Sequence, residues 1–421
     1  MATTQRVLPM AAAVLAAGLL LGACSTETSG TSVAAASSTP AAPQVDKAAL
    51  NPGTYPTTPA APYGTATTDT ILEIEGQRLA EFVVVPFEVD PELTEVKMPT
   101  QVLRTYKNLS MTLGEGQINV PANKEMLYGF VSTAATATAT AKEVGRSLVQ
   151  MVLRYKDSGQ ATAAAQQMHD SLIDEPDPAL KEKAERIDVL PKTLVSTGDT
   201  AEGGVSVNAF TAHGDYVLYT WASAPAAGRG WTAQSVATAL KLQEPLIDKF
   251  PATPTREQNG GTAAPLPQVD QDSILIYAIP EEDPDAQGGS DMAVYGPRGM
   301  THRSTNPPLT YKTLTDAGAL HNASYKTTVY RAATTVDAQK IVDVFIGDLI
   351  SSDGFTPAPS PPGLPNASCA TKDTADGTKD YCMVVNGRYV GEASGIDNKT
   401  DVDRLISAQY LTLDHADQDA E

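Results

Sequence analysis

Four groups of side chains in this 421-residue chain have types and spacings that bear on chemistry. The first is Gly296-Pro297-Arg298-Gly299-Met300-Thr301-His302-Arg303, which places two arginines and a histidine within six residues of a chain whose net charge is −20. Arginine forks grip carboxylate or phosphate at two points, and glycines let a ligand approach backbone amides. Arg298, His302 and Arg303 are therefore candidate ligand contacts; the alternative is that they pair with the acidic loop Glu281–Asp285 or face water. The second group is the three cysteines, Cys24, Cys369 and Cys382. The third is Trp221, Trp231 and Tyr219, which either line a pocket or pack beside a hairpin. The fourth is Asp283, Asp285, Gln287 and Gly288, which match the first half of a calcium loop. Position twelve of that loop holds Val294 where a bidentate glutamate belongs, so the run reads as a solvated acidic loop.

The catalytic signatures are missing from the sequence. There is no G-x-S-x-G elbow, S-x-x-K, H-E-x-x-H or Walker loop, and Gly114-Glu115-Gly116 lacks its third glycine because Asn119 stands there. The five histidines (His169, His213, His302, His321, His415) never pair at metal-ligand spacing. No cofactor, metal site or catalytic residue is expected. A hydrolase built from scattered residues would have to bring Thr301-His302 or His321 together with a carboxylate.

The N-terminus locates the chain. After Arg6, Val7–Leu21 is a 15-residue uncharged run, the length of a signal h-region and short of the 18 or more residues a spanning helix needs. The small residues Gly22 and Ala23 then precede Cys24. Leu21-Gly22-Ala23-Cys24 resembles the bacterial lipoprotein box. The resemblance implies that Cys24 receives a diacylglyceryl group and becomes the first residue of the mature chain, the alternative being a secreted protein cleaved elsewhere. Two acyl chains suffice for stable anchoring. Outside the cytoplasm, the remaining Cys369 and Cys382 are expected to form a disulfide, since an oxidising compartment favours pairing.

Composition excludes some partners. Nucleic acid demands clustered lysine and arginine, which a chain with 30 basic and 50 acidic residues does not offer. The same charge opposes adsorption to anionic lipid beyond the anchor. A hydrophobic content of 42% with only 6% aromatics predicts aliphatic cores, and the length predicts two domains.

Periodicity supplies the elements that would position these residues. Leu148–Tyr155 reads as a strand, Ala164, Ala165, Met168 and Leu172 as a helix face, Val205–Thr211 and Tyr216–Ala222 as a hairpin, and Trp231–Phe250 as a helix. The order then recurs. Ile274–Ile279 and Tyr325–Arg331 read as strands, and a helix capped by Thr334 runs to Ile350. A hairpin turns at Asn386-Gly387, and a last helix is capped by Thr400 and Asp403. Tyr155 precedes Tyr330 by 175 residues, Leu172 precedes Leu349 by 177, and Gly214 precedes Gly387 by 173. The expected fold is α+β: two similar lobes, each strand-helix-hairpin-helix, after a signal peptide and a disordered tether. The boundaries are a signal peptide at 1–23, lipidated cysteine and flexible tether at 24–65, and a first domain at 66–250. A linker at 251–272, a second domain at 273–413 and an acidic tail at 414–421 complete the chain.

Leu21–Cys24, Leu50–Pro59, Ala293–Arg303 and Thr327–Arg331 together resemble a family of uncharacterised actinobacterial envelope lipoproteins. The resemblance implies a two-part extracytoplasmic protein on the cell membrane and brings no activity with it. The expected function is binding of a small ligand or an envelope protein. A cell-envelope hydrolase without a recognisable motif and a purely structural interaction module are the alternatives.

Overall fold

The computed structural model describes residues 44–420 except 97–99, 138, 140–143, 175–179, 181, 201–202 and 282–291. Leu21–Cys24 and the calcium-loop-like run Asp283–Gly288 lie outside the described residues.

The first lobe opens with α1 (Ile71–Leu79) and the single turn α2 (Pro86–Val89). There follow β1 (Gln101–Leu103), α3 (Glu115–Ile118), β2 (Met126–Ala135), β3 (Ser147–Tyr155) and α4 (Ser158–Asp174). Strands β4 (Lys183–Glu185), β5 (Leu194–Asp199), β6 (Gly204–His213) and β7 (Tyr216–Pro225) lead to α5 (Arg229–Ile247). The strands form one antiparallel sheet in the order β1-β2-β3-β7-β6-β5-β4. Both faces are covered. Val149, Met151, Leu153 and Tyr155 of β3 pack under α4, whereas Leu148 and Val152 point to the opposite side with Leu240 and Val236 of α5 and Leu79 of α1. The helix α4 meets the sheet through Ala161, Ala164, Ala165 and Met168, none more than 2% exposed. Its three alanines allow the helix to pack closely on the strands.

The second lobe runs β8 (Ala293–Tyr295), α6 (Pro297–Thr301), α7 (Pro307–Asp316), β9 (Asn322–Ser324), β10 (Thr328–Arg331) and α8 (Thr335–Ser351). It closes with β11 (Thr356–Ala358), β12 (Ser368–Thr374), β13 (Gly377–Asn386), β14 (Tyr389–Ile396) and α9 (Lys399–Leu413). Its sheet, read from β8, is β8-β9-β10-β14-β13-β12-β11. This is the strand order of the first lobe, element for element, and the fold is α+β with two similar lobes.

Registers refine the internal repeat. Arg154 stands opposite Tyr216, and Arg331 opposite Tyr389. Both hairpins turn on a two-residue loop, Gly214-Asp215 and Gly387-Arg388, whose glycines have φ of +54° and +60°. A left-handed first turn residue favours glycine. The second turn therefore sits one residue later than Asn386-Gly387, because Asn386 is itself paired with Tyr389. Arg154 matches Arg331, which makes Leu153, not Tyr155, the counterpart of Tyr330. Each arginine has local partners: Arg154 donates to Tyr216 Oη at 2.7 Å, and Arg331 donates to Asp272 Oδ2 at 3.0 Å.

Four expected elements differ. Ile274–Ile279 is no strand: Leu275–Tyr277 forms a 3-10 turn, because the Asp270 carboxylate accepts from the amides of Leu275 (2.7 Å) and Ile276 (3.1 Å). The last helix is capped by Asn398, whose side chain accepts from Asp401 N, so it starts ahead of Thr400. The tether expected over 24–65 is docked where it is described. Asp46 N donates to Gly363 O at 2.9 Å, Tyr55 Oη to Asp401 at 2.9 Å, and Ala60 N to Ile276 O at 2.8 Å. Val45, Leu50 and Tyr55 pack on the core under α9, which repays the ordering of this stretch. The segment 251–272 is held too: Thr253 N and Oγ1 donate to Glu75, and Val269 N donates to Gly64 O.

Cys369 on β12 and Cys382 on β13 are directly opposed and bridged, 0–5% exposed within the α9 core. Removing this crosslink from the unfolded chain is expected to lower the unfolding free energy by about 2–3 kcal/mol. Urea unfolding of wild type against Cys369→Ala/Cys382→Ala measures it, and coincident midpoints would refute a stabilising bridge.

Candidate functional site

Two of the three candidate contacts that the sequence singles out, Arg298 and His302, meet partners in the first lobe of the same chain. Helix α6 lies against the first lobe, and the half-buried Glu81 carboxylate reaches its N-terminus. There it accepts from Gly299 N at 2.8 Å and Arg298 N at 3.3 Å. These amides would otherwise lack a partner, as the first N–H groups of any helix do. The glycines in the motif do permit a close carboxylate approach, but the carboxylate belongs to the same chain. A Cβ on Gly296 would lie 2.4 Å from Glu81 Oε2. Arg298 forms an ion pair with Glu88, donates to Tyr311 Oη at 3.2 Å and stacks over that ring at 5.0 Å. Its described partners thus come from α2 and α7. Desolvation raises the Glu81 carboxyl above the ordinary carboxylate range, against the pull of the two amides and Arg298.

His302 is sealed between the lobes at 2% exposure. Its Nε2 donates to Ala80 O at 2.9 Å, and its Nδ1 accepts from Ser132 Oγ at 2.7 Å, which fixes one neutral tautomer. Phe130 covers the ring at 4.9 Å. Burial, reinforced by the Arg298 charge, lowers its pKa from 6.5 to about 3. Neither His302 nor its neighbour is placed as a hydrolase would need, since Thr301 Oγ1 donates to Pro297 O at 2.7 Å. His321 faces Asp272 away from the interface. Trp231 donates to Asp90 at 2.7 Å beneath Arg146, and Trp221 and Tyr219 belong to the α4 core.

Of the predicted trio, Arg303 is the exposed member, and it stands on the wall of a groove of about 1040 Å³. The floor of the groove is the face of the second sheet that α8 covers only in part. Tyr330 on β10, Tyr381 on β13 and Glu392 on β14 occupy its centre. Phe345, Asp348 and Leu349 of α8 form one side, Arg303–Asn306 with Leu309 and Thr310 another, and Thr94–Val96 of the first lobe overhang the end. Tyr330 Oη donates to Glu392 Oε2 at 2.6 Å, and Tyr381 is a second donor to the same carboxylate. Desolvation dominates this group and raises its pKa, despite both phenols. Burial and the neighbouring carboxylate likewise push both tyrosines well above 10.

The equivalent place in the first lobe is filled. Counting from the turns, Tyr219 corresponds to Glu392 and Asn208 to Tyr381. Tyr219 Oη donates to Asn208 Oδ1 at 2.8 Å under the alanine face of α4. The sequence reading missed Glu392. Its signal was one acid inside the apolar strand Tyr389–Ala393, on the face shared with Val390.

The buried imidazole has a measurable consequence. Below pH 6.5 the unfolded chain protonates His302 while the folded chain does not until about pH 3, so His302 costs stability as pH falls, by about 1.4 kcal/mol per unit. Glu81, with a raised pKa, acts in the opposite sense. His302→Asn is expected to be about 2–3 kcal/mol less stable than wild type at pH 7.5, with the deficit shrinking by pH 4.5. Urea midpoints at the two pH values test this, and a constant deficit would mean that His302 is charged in the fold.

Comparison with known proteins follows the two lobes. The N-terminal model described as domain of unknown function (DUF7373) matches residues 62–261, and the C-terminal model of DUF7373 matches residues 270–416. No curated protein matches the chain. Among solved structures, the extracellular domain of PknH from Mycobacterium tuberculosis is similar over 44% of this chain and 100% of that chain, at 11% identity and a TM-score of 0.28. Among the described residues no helix is long and apolar enough to cross a membrane. Because one family supplies both matches, in order and across both lobes, the chain belongs to the DUF7373 family.

Proposed function

We propose that the protein is a non-enzymatic binding protein of the actinobacterial envelope, held outside the cytoplasmic membrane by a lipid on Cys24. Its second lobe takes a ligand in the groove over β10, β13 and β14. One observation carries the binding reading: two copies of one architecture differ in whether the same sheet face is filled. In the first copy alanines and Met168 of α4 close it. In the second, α8 presents Phe345, Asp348 and Leu349 over open space. Open space over a sheet forfeits the packing that the first copy gains. Concave sites of this size, with aromatic walls and a few convergent polar groups, are where ligands bind.

Placement rests on Leu21–Cys24 and on the disulfide, which suits an oxidising compartment. Cys24→Ala is expected to abolish metabolic lipid labelling and release the chain from membranes. Wild-type protein that matures without label would overturn the anchor.

For the groove, native mass spectrometry of protein recovered from its own membranes is expected to show a discrete excess over the denatured mass. Ser394 is exposed on the groove face of β14, so Ser394→Trp fills the space without disturbing a core and removes the excess. Bare wild-type protein, or an excess that survives in Ser394→Trp, would overturn the reading.

A further inference from the structure

The centre of the groove is chemically specific. Glu392 is crowded by protein yet still touched by solvent through the groove. Its hydrogen-bond partners are the phenols Tyr330 and Tyr381, both neutral donors. Among the described residues no Lys, Arg or His forms an ion pair with it. An enclosed carboxylate with neutral donors alone carries a desolvation cost that an adjacent cation would offset.

The neighbouring cations are directed elsewhere. Lys372 donates to Asp353 O and lies 5.7 Å over the Phe355 ring. Lys379 lies four residues along β13 from Met383, the residue opposite Glu392, which places it about 13 Å away along the strand. Arg303 belongs to the α6–α7 wall and has its own partners. What does surround Glu392 is aromatic. Tyr330 and Phe345 meet edge to face, with centroids 5.8 Å apart at 70°, and Tyr381 stands on the next strand. Asp348 adds a second carboxylate on the α8 side, oriented by Asn306 Nδ2 at 3.0 and 3.1 Å.

We infer that this centre is a binding site for an organic ammonium group, seated on the Glu392 carboxylate and enclosed by the rings of Tyr330, Tyr381 and Phe345. The inference rests on the groove reading above and names the chemical class of its ligand. Ring faces attract a cation through their quadrupoles, and the carboxylate supplies the counter-charge. Desolvation by burial raises the Glu392 carboxyl above its ordinary range, and a bound cation would offset that cost. An anionic ligand would have to sit against Glu392 and Asp348, and a neutral one would leave the carboxylate uncompensated.

The test uses full-length protein in dodecyl maltoside and two probes of one shape, choline and its uncharged carbon isostere 3,3-dimethylbutan-1-ol. Saturation-transfer NMR titrations give both affinities. Choline is expected to bind wild type at least tenfold more tightly than the isostere. Glu392→Gln should remove that advantage, and Tyr381→Leu should weaken choline about threefold or more. Equal binding of the two probes, absence of choline binding, or an unchanged preference in Glu392→Gln would overturn the ammonium assignment. The wild-type comparison stands even where a variant fails to fold. Failure here is distinguishable from failure of the groove reading: a native mass excess that Ser394→Trp removes would keep the groove while excluding an ammonium ligand.

Discussion

The arrangement depends on a carboxylate that caps a helix of the other lobe. Glu81, just beyond α1, accepts the amides of Arg298 and Gly299, while Arg298 reaches back to Glu88. Each group would be costly alone, because burial penalises an unpaired acid, an unpaired guanidinium and orphan helix amides alike. Together they cancel, and His302 completes the contact as a neutral ring with a donor and an acceptor satisfied. Glycine at 296 leaves room for this contact, because a Cβ there would press on the Glu81 carboxylate and displace it from the amides. This latch fixes α6, and through α6 it fixes the stretch from Arg303 to Thr310 that walls the groove. The first lobe thus shapes a site whose floor lies wholly in the second.

Duplication accounts for how such a site arises without destabilising the fold. Both copies retain the positions that hold the sheet: the Arg154–Tyr216 and Arg331–Tyr389 pairs and the glycine-led hairpin turns. They part company under the first long helix. Alanines on α4 let it settle on the strands, and Phe210 and Tyr219 fill what remains. The stripe on α8 is bulkier, with Ile341, Val342 and Phe345, and the strand residues beneath it are Met383, Tyr381 and Glu392. A larger residue holds a helix further from its sheet, and a polar floor gives it no reason to descend.

The sequence made the repeat legible because its anchors are local. A capping threonine at 334 and glycines at both turns depend on neighbours in the chain, and the structure retains them. Strand β2 escaped notice for a physical reason: the first sheet is covered on both faces, so β2 is buried almost throughout and shows little polar alternation. The strand expected at Ile274–Ile279 failed because one side chain, Asp270, bonded two amides and turned an apolar run into a helical coil. The motif at 296–303 offered an arginine and backbone amides to a carboxylate, and in the fold Glu81 and Glu88 of the same chain meet them. Which carboxylate it meets is tertiary information, since Glu81 is 215 residues before Gly296.

Three enclosed acids differ in what offsets their burial. Glu75, 1% exposed, is surrounded by Arg78, Tyr128 Oη and both donors of Thr253. Glu81 has two amides and the nearby Arg298 charge. Each therefore has a cation within its own fold, and each ties distant segments together. Glu392 has two phenols and, among the described residues, no cation. The first copy carries no acid at the matching position: Tyr219 stands there, buried in the α4 core, and an uncharged side chain avoids the desolvation cost. Retaining a carboxylate there, oriented by tyrosines and open to a groove, makes physical sense where the missing positive charge arrives from outside.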